Sequence, residues 1–294
     1  EAVRAEGLKV GLYYSVADWR HPDYPGAYCR DWPKEWKSED RRKSFVRYYK
    51  AQIEELMTHY GKIDLLWYDG CIPQPTDGYE VNMLVKSLQP EILINNRNGK
   101  PYDFWVCERE IVPPAEPIKW EACMTINENW GYFENDTEYK SPKAILKLLL
   151  QTCQGGGNLL LNVGPRGDGS IPSEVQTRLR KVGEWLKSNG EFLANSEPSP
   201  YSWHNLYILT TKGNTVYVHL VHKPCEPVCV ANIKNKAISA YLVASKKPIP
   251  LSQKGDRIFL DNIPDFSDDS ILSIAIKLDG KPVAIEPHNY SPKC

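Results

Sequence analysis

From residue 8 to about residue 190, short apolar runs alternate with longer amphipathic ones, and that alternation predicts a parallel α/β arrangement. LKVGLYYS (8–15) reads as the first strand. A long helix follows from Ser38, whose side chain can satisfy free backbone N–H groups while Glu39 and Asp40 suit the positive end of the helix dipole. Phe45, Tyr49, Ile53, Leu56, Met57 and Tyr60 then share one face, and Gly61 ends the helix. IDLLWYDG (63–70) is a near-continuous apolar run, predicted to be a strand buried on both faces. EVNMLVKSLQ (80–89) is a helix closed by Pro90, and EILINNRNG (91–99) is a third strand. After an irregular stretch, WEACMTIN (120–127) is a fourth. Ser141-Pro142 opens a helix that stops at Gly155-Gly156-Gly157, and NLLLNVGP (158–165) is the fifth strand. Ser173 and Gln176 have the spacing of a capping box for a last helix, with Val175, Leu179, Val182 and Leu186 on one face and Asn189-Gly190 at its end.

This gives about five βα units in about 190 residues, whereas a closed (β/α)8 barrel needs eight. The opening EAVRAEGLKV reads as the last turn of a helix running into a strand, so a barrel parent would place three units upstream of Glu1. A doubly wound sheet needs no such units, but the Gly155–Gly157 triplet precedes a strand instead of opening a helix, so no phosphate loop supports that fold. After SEPSPY the texture changes: LYILTT, TVYVHLVH, AISAYLVA, RIFL and ILSIAIKL are short, β-branched and separated by turns. They predict an antiparallel β-sandwich, with the domain boundary between residues 197 and 198.

Composition narrows the ligand. The chain has 294 residues, 41% hydrophobic and 25% charged, with 36 Lys plus Arg against 37 Asp plus Glu. That balance, without a long basic run, points away from nucleic acid and toward a neutral ligand. No stretch reads as a membrane span. Aromatics are biased toward rings with polar handles, 9 Trp and 17 Tyr against 6 Phe, which suits stacking on sugars. Of the 8 Cys residues only Cys225 and Cys229 are close, so no zinc spacing is present, while a disulfide among them remains open. Two glycosylation sequons, Asn135-Asp-Thr137 and Asn289-Tyr-Ser291, are short enough to arise by chance.

Asp69 is the first candidate for chemistry, because it closes the apolar strand LLWY at the end where parallel barrels carry catalytic groups. Trp67 and Tyr68 beside it supply an aromatic surface. Arg97, in INNRNG, is the natural cation to orient Asp69 or to bind a substrate hydroxyl. A glycosidase needs a second carboxylate, and Glu108, Glu110, Glu116 and Glu121 all lie in the segment that follows; residue type alone does not choose among them. The 6 His show no metal spacing, and no GxSxG elbow is present.

Taken in order, GLKVGLYYS with its following Asp-Trp, IDLLWYDG, DFWVCE, WEACMTINENWGY and GGGNLLLNVGPRGDGSIP resemble the α-L-fucosidases of glycoside hydrolase family 29 over roughly residues 5 to 200. The resemblance implies a partial (β/α)8-like (TIM-type) barrel over residues 1–197 followed by a C-terminal β-sandwich over 198–294. It implies retaining exo-hydrolysis of terminal α-L-fucose from glycans, without metal or organic cofactor. Its nucleophile falls on Asp69, and its acid/base, five residues after an Asp-Phe, falls on Glu108 in preference to Glu110. Here that segment reads Val106-Cys107-Glu108 where the family pattern has Thr-Pro-Glu. Tyr13, Trp67, Arg97 and Trp130 match sugar-contacting positions. The family's fucose-binding His residues on the first three barrel strands have no counterpart, which implies a partial enzyme sequence, inactive on its own. Two other readings fit the same residues: a non-catalytic fucose-binding barrel, and a glycosidase with a different sugar specificity. Secreted, periplasmic and lysosomal locations all suit the resemblance, and it does not fix the oligomeric state.

Overall fold

A computed structural model describes residues 1–25, 35–70, 75–201, 206–224 and 227–285. The chain forms two compact units, residues 1–106 with 114–119 and residues 107–113 with 120–294.

The first unit contains α1 (Ala2–Ala5), β1 (Gly11–Ser15), α2 (Glu39–His59), β2 (Leu65–Asp69), α3 (Gly78–Leu88) and β3 (Leu93–Ile94). The three strands form a parallel sheet in the order β1-β2-β3, with Tyr13 opposite Trp67 and Ser15 opposite Asp69. Ser38 caps α2 by accepting the Arg41 N–H at 3.3 Å. Phe45, Tyr49, Ile53 and Met57 are buried along the helix as their spacing predicts, while Tyr60 is exposed. Leu66, Tyr68 and Ile94 belong to the same core cluster as these helix residues, and Leu12 packs against it. Side chains alternate across a strand, so Trp67 and Asp69 face the other way, and they are only half-buried. β2 is therefore not buried on both faces: the apolar run is continuous in sequence, but its odd positions serve an open face. The third strand is two residues long, because Asn96–Asn98 turn into a 3₁₀ helix.

Strand β4 (Phe104–Glu108) carries the chain into the second unit and lies beside β5 (Lys119–Thr125), which pairs in parallel with β6 (Asn158–Asn162). β4 lies in the stretch predicted to be irregular, so the described residues of the α/β part hold six strands where five were predicted. Its apolar run is short and enclosed by NNRNGKPYD and ERE, which mask it. α4 (Pro142–Gln154) is capped by Ser141, whose hydroxyl accepts the Ala144 N–H at 3.1 Å. It stops at the glycine triplet for a reason beyond backbone freedom. The Trp120 indole lies across Gly155 and Gly157, donating Nε1–H to the Gly155 carbonyl at 2.9 Å, and a Cβ at either glycine would overlap the ring. α5 (Ser173–Asn189) lacks the predicted capping box: Ser173 lies inside the helix and bonds Glu174, and Gln176 bonds the Ile171 carbonyl. Pro172 itself occupies the N-cap position, which places Ser173 one residue inside the helix.

The rest of the second unit is antiparallel. β7 (Tyr207–Lys212), β8 (Thr215–Leu220), β10 (Ala237–Leu242), β11 (Pro248–Ile249) and β14 (Leu272–Leu278) form one sheet, in the order β11-β10-β14-β8-β7. β9 (Val228–Val230), β12 (Leu251–Lys254) and β13 (Arg257–Leu260) form another, in the order β12-β13-β9. Leu209, Val216, Val218, Ile274 and Ile276 of the first sheet share a core with Val228, Val230, Ile258 and Leu260 of the second, which makes a two-layer sandwich. The opposite face of β8 is buried as well, with Tyr217 and His219 against Phe192. Cys107, Cys153 and Cys229 are free thiols, and the Cys123 thiol donates to the Cys107 carbonyl at 3.5 Å; Cys29, Cys71, Cys225 and Cys294 and the Asn289 sequon lie outside the described residues. Among the described residues no helix is long and apolar enough to cross a membrane.

Candidate active site

The open face of β1 and β2 gathers four of the residues singled out from the sequence. The Asp69 carboxylate accepts hydrogen bonds from the Tyr13 hydroxyl on one oxygen and from Arg97 Nη1 on the other. Tyr13 stacks on Trp67 with ring centroids 5.6 Å apart and planes 16° from parallel. The Arg97 guanidinium lies 4.8 Å over the same indole. Strand register explains half of this arrangement, since Tyr13 is directly opposite Trp67 in the parallel ladder. Asp69 keeps 27% of its side-chain surface and Arg97 19%, so the pair is held by protein yet reachable from solvent.

Arg97 reaches the carboxylate because asparagines fix the turn that carries it. Fully buried Asn95 extends the β2 ladder with its side chain, accepting the Tyr68 N–H at 3.0 Å and donating to the Tyr68 carbonyl at 2.9 Å. Asn96 accepts the Val106 N–H at 2.8 Å, and Asn98 donates to Asn82 at 2.9 Å. Lys86 pairs with Asp103, whose carboxylate also takes the Ile94 N–H at 2.7 Å. Sequence reading missed these supports. The run Asn95-Asn96-Arg97-Asn98 was their only signal, since a cluster of short amides suits a turn that must satisfy its own backbone.

Glu108 and Trp130 lie in the second unit. Glu108 ends β4 and is exposed; Cys107 before it is buried, and burial pushes that thiol up, which leaves it protonated near neutral pH. Arg109 adopts a left-handed backbone (φ 58°) and donates its N–H to the Cys123 carbonyl at 3.0 Å, so the chain turns sharply as it leaves the strand. Its guanidinium lies 5.5 Å over Trp130 and bonds the Glu128 carbonyl at 2.6 Å. Glu110 lines a cavity of about 490 Å³ together with Arg109, Met124, Glu128, Lys140 and Gln151. Glu121 is half-buried in β5, and Glu116 is exposed in the first unit. Among the described residues no His, Cys, Asp and Glu cluster has the form of a metal site.

Comparison with known proteins converges on one family. The family model for α-L-fucosidase matches residues 1–191. The tissue α-L-fucosidase of Bos taurus is 30% identical over 303 residues, covering 95% of this chain and 63% of that protein. The human tissue enzyme is 31% identical over 241 residues, covering 76% of this chain and 50% of its own length. The chain thus spans between half and two thirds of these relatives. Among solved structures, α-L-fucosidase isoenzyme 1 of Paenibacillus thiaminolyticus superposes with a TM-score of 0.78 at 30% identity, over 95% of this chain and 74% of that one. The α-L-fucosidase of Vibrio sp. strain EJY3 gives 0.80 at 25% identity, over 97% and 54%. Sequence blocks, fold and relatives agree, and the chain belongs to the α-L-fucosidase family.

Proposed function

We propose that the protein is a retaining exo-α-L-fucosidase that removes terminal fucose from glycans by double displacement. In this reading the residues from 1 to 197 form a partial (β/α)8-like catalytic barrel, and those from 198 to 294 an accessory sandwich. The observation that carries it is the carboxylate of Asp69, fixed on both oxygens at the mouth of a parallel strand beside a stacked aromatic pair. A nucleophile that must attack an anomeric carbon has to keep one orientation, and Arg97 with Tyr13 supplies that restraint. Trp67 is assigned with Tyr13 and Arg97 to the wall that borders the sugar beside Asp69, and Trp130 is assigned as a further sugar-contacting aromatic.

Glu108 is assigned as acid/base. As the acid it gives its proton to the glycosidic oxygen while Asp69 forms the fucosyl ester. As the base it then takes a proton from the water that cleaves the ester, which returns the sugar with its original anomeric configuration. This chemistry demands carboxyl groups about 5 to 5.5 Å apart in the working enzyme. The test is turnover of a chromogenic α-L-fucoside by the protein as naturally encoded, together with its Asp69→Gly variant. Activity should vanish in the variant and return in part with azide, as a fucosyl azide of inverted configuration. A wild-type protein that binds fucose but cleaves no fucoside would instead favour the non-catalytic reading.

A further inference from the structure

The general acid touches the oxygen that joins fucose to the rest of the glycan, so the groups around the acid face the aglycone. Resting on the fucosidase reading and on Glu108 as acid, we infer that Tyr132 and Phe133 form a stacking platform for the first sugar of the aglycone. Both rings are exposed, Tyr132 at 40% and Phe133 at 55%, whereas most large apolar side chains of this unit are in its cores. They are reached from Glu108 by a short chain of contacts: Arg109 follows Glu108, its guanidinium lies over Trp130, and Tyr132 and Phe133 follow Trp130 across a glycine.

The loop that presents them is built to keep its shape. Asp136, only 7% exposed, accepts the Asn127 side-chain amide at 2.9 Å, and from Asn129 it takes both the backbone N–H at 2.9 Å and the side-chain amide at 2.8 Å. These bonds, the Asn129 amide first, hold its carboxyl below the usual range. The Asp136 N–H in turn closes on the Phe133 carbonyl at 3.0 Å. Gly164 lets the chain leaving β6 press against the loop: a Cβ there would come within 2.8 Å of the Tyr132 nitrogen. Arg166 lies 5.5 Å over the Tyr132 ring.

Two exposed rings on a fixed loop, with the Arg166 guanidinium beside one of them, suit the apolar C–H face of a pyranose with hydroxyls at its edge. Pre-ordering matters because a mobile loop would lose much of the stacking energy to its own immobilisation.

The experiment compares two substrates that share fucose and differ in the leaving group. Fucosyl fluoride has no aglycone ring, and a fucosylated trisaccharide has one next to the scissile bond. In the naturally encoded protein, Tyr132→Ala and Phe133→Ala should each lower kcat/KM for the trisaccharide about tenfold, mainly through KM, while fucosyl fluoride stays within about twofold of wild type. Phe133→Tyr, which keeps the ring, should behave as wild type on both. Equal losses on the two substrates, or none on either, would overturn the platform while leaving the fucosidase reading in place. A wild-type protein that hydrolyses neither substrate would overturn that reading and the platform with it.

Discussion

Strands β2 and β8 are built from similar material, LLWYD against TVYVHL, and treat their two faces in opposite ways. In β2 one face is sealed by Leu66 and Tyr68 against the helices, and the other holds Trp67 and Asp69 in partial contact with solvent. In β8 every residue is buried. The polar group there, His219, is consumed internally, with Thr210 and Ser273 hydroxyls each 2.8 Å from a ring nitrogen. Burial pushes its pKa down to about 3, so the ring stays neutral. An ionisable side chain in a strand stays accessible and oriented where one face is left open and a partner holds it. Where both faces close, the same kind of side chain is structural.

The contrast is sharpened most strongly by Glu108→Gln. If Glu108 is the general acid proposed above, its loss should reduce kcat on an oligosaccharide by about 10²- to 10⁴-fold and affect fucosyl fluoride far less, as initial-rate kinetics would show. Equal losses on both would assign the proton donor elsewhere, with Glu110 and Glu121 the next residues to replace. Arg97→Gln should cost about tenfold to a hundredfold in kcat, since it removes a charge-assisted bond to Asp69 without removing the carboxylate. An unchanged kcat would mean that Asp69 needs no such restraint.

His219 gives the corresponding prediction for the closed strand. Its pKa is lowered in the folded state, so the unfolded chain takes the proton first. Stability is therefore complete above the ordinary value of 6.5 and falls as pH drops, by about 1.4 kcal/mol per pH unit, or roughly 2 kcal/mol at pH 5. Denaturant melts of wild type and His219→Gln across pH 5 to 7 should show a shallower slope in the variant; parallel slopes would contradict the buried neutral ring. The smallest effect belongs to the exposed turn at Asp268 and Asp269. Alanine at either position should change kcat/KM less than twofold and stability by no more than about 0.5 kcal/mol, measured by the same assays.

The alternation of apolar and amphipathic runs made the parallel strands, the long helices and the switch to antiparallel β legible in the sequence. Asp69 and Arg97 were legible for a physical reason, since a charge closing an apolar strand must face a partner or solvent. What escaped was short or relational. Strand β4 offered five residues between polar segments, too few for a period to emerge. The Ser173 cap failed because Pro172 decides where the helix begins. Asn95 looks like a loop residue in sequence and acts as a buried extension of β2, a role set wholly by what lies opposite it. Trp120 explains the glycine triplet only once the fold brings the two together.

The central claim is that the open face of β2 carries a covalent nucleophile, and a mechanism-based label tests it directly. The protein should be inactivated by a 2-fluoro-fucosyl fluoride, and peptide mass spectrometry should find a single fluorofucosyl ester on Asp69. Continued turnover of fucosides with no adduct formed, or an adduct on any other carboxylate, would contradict the account.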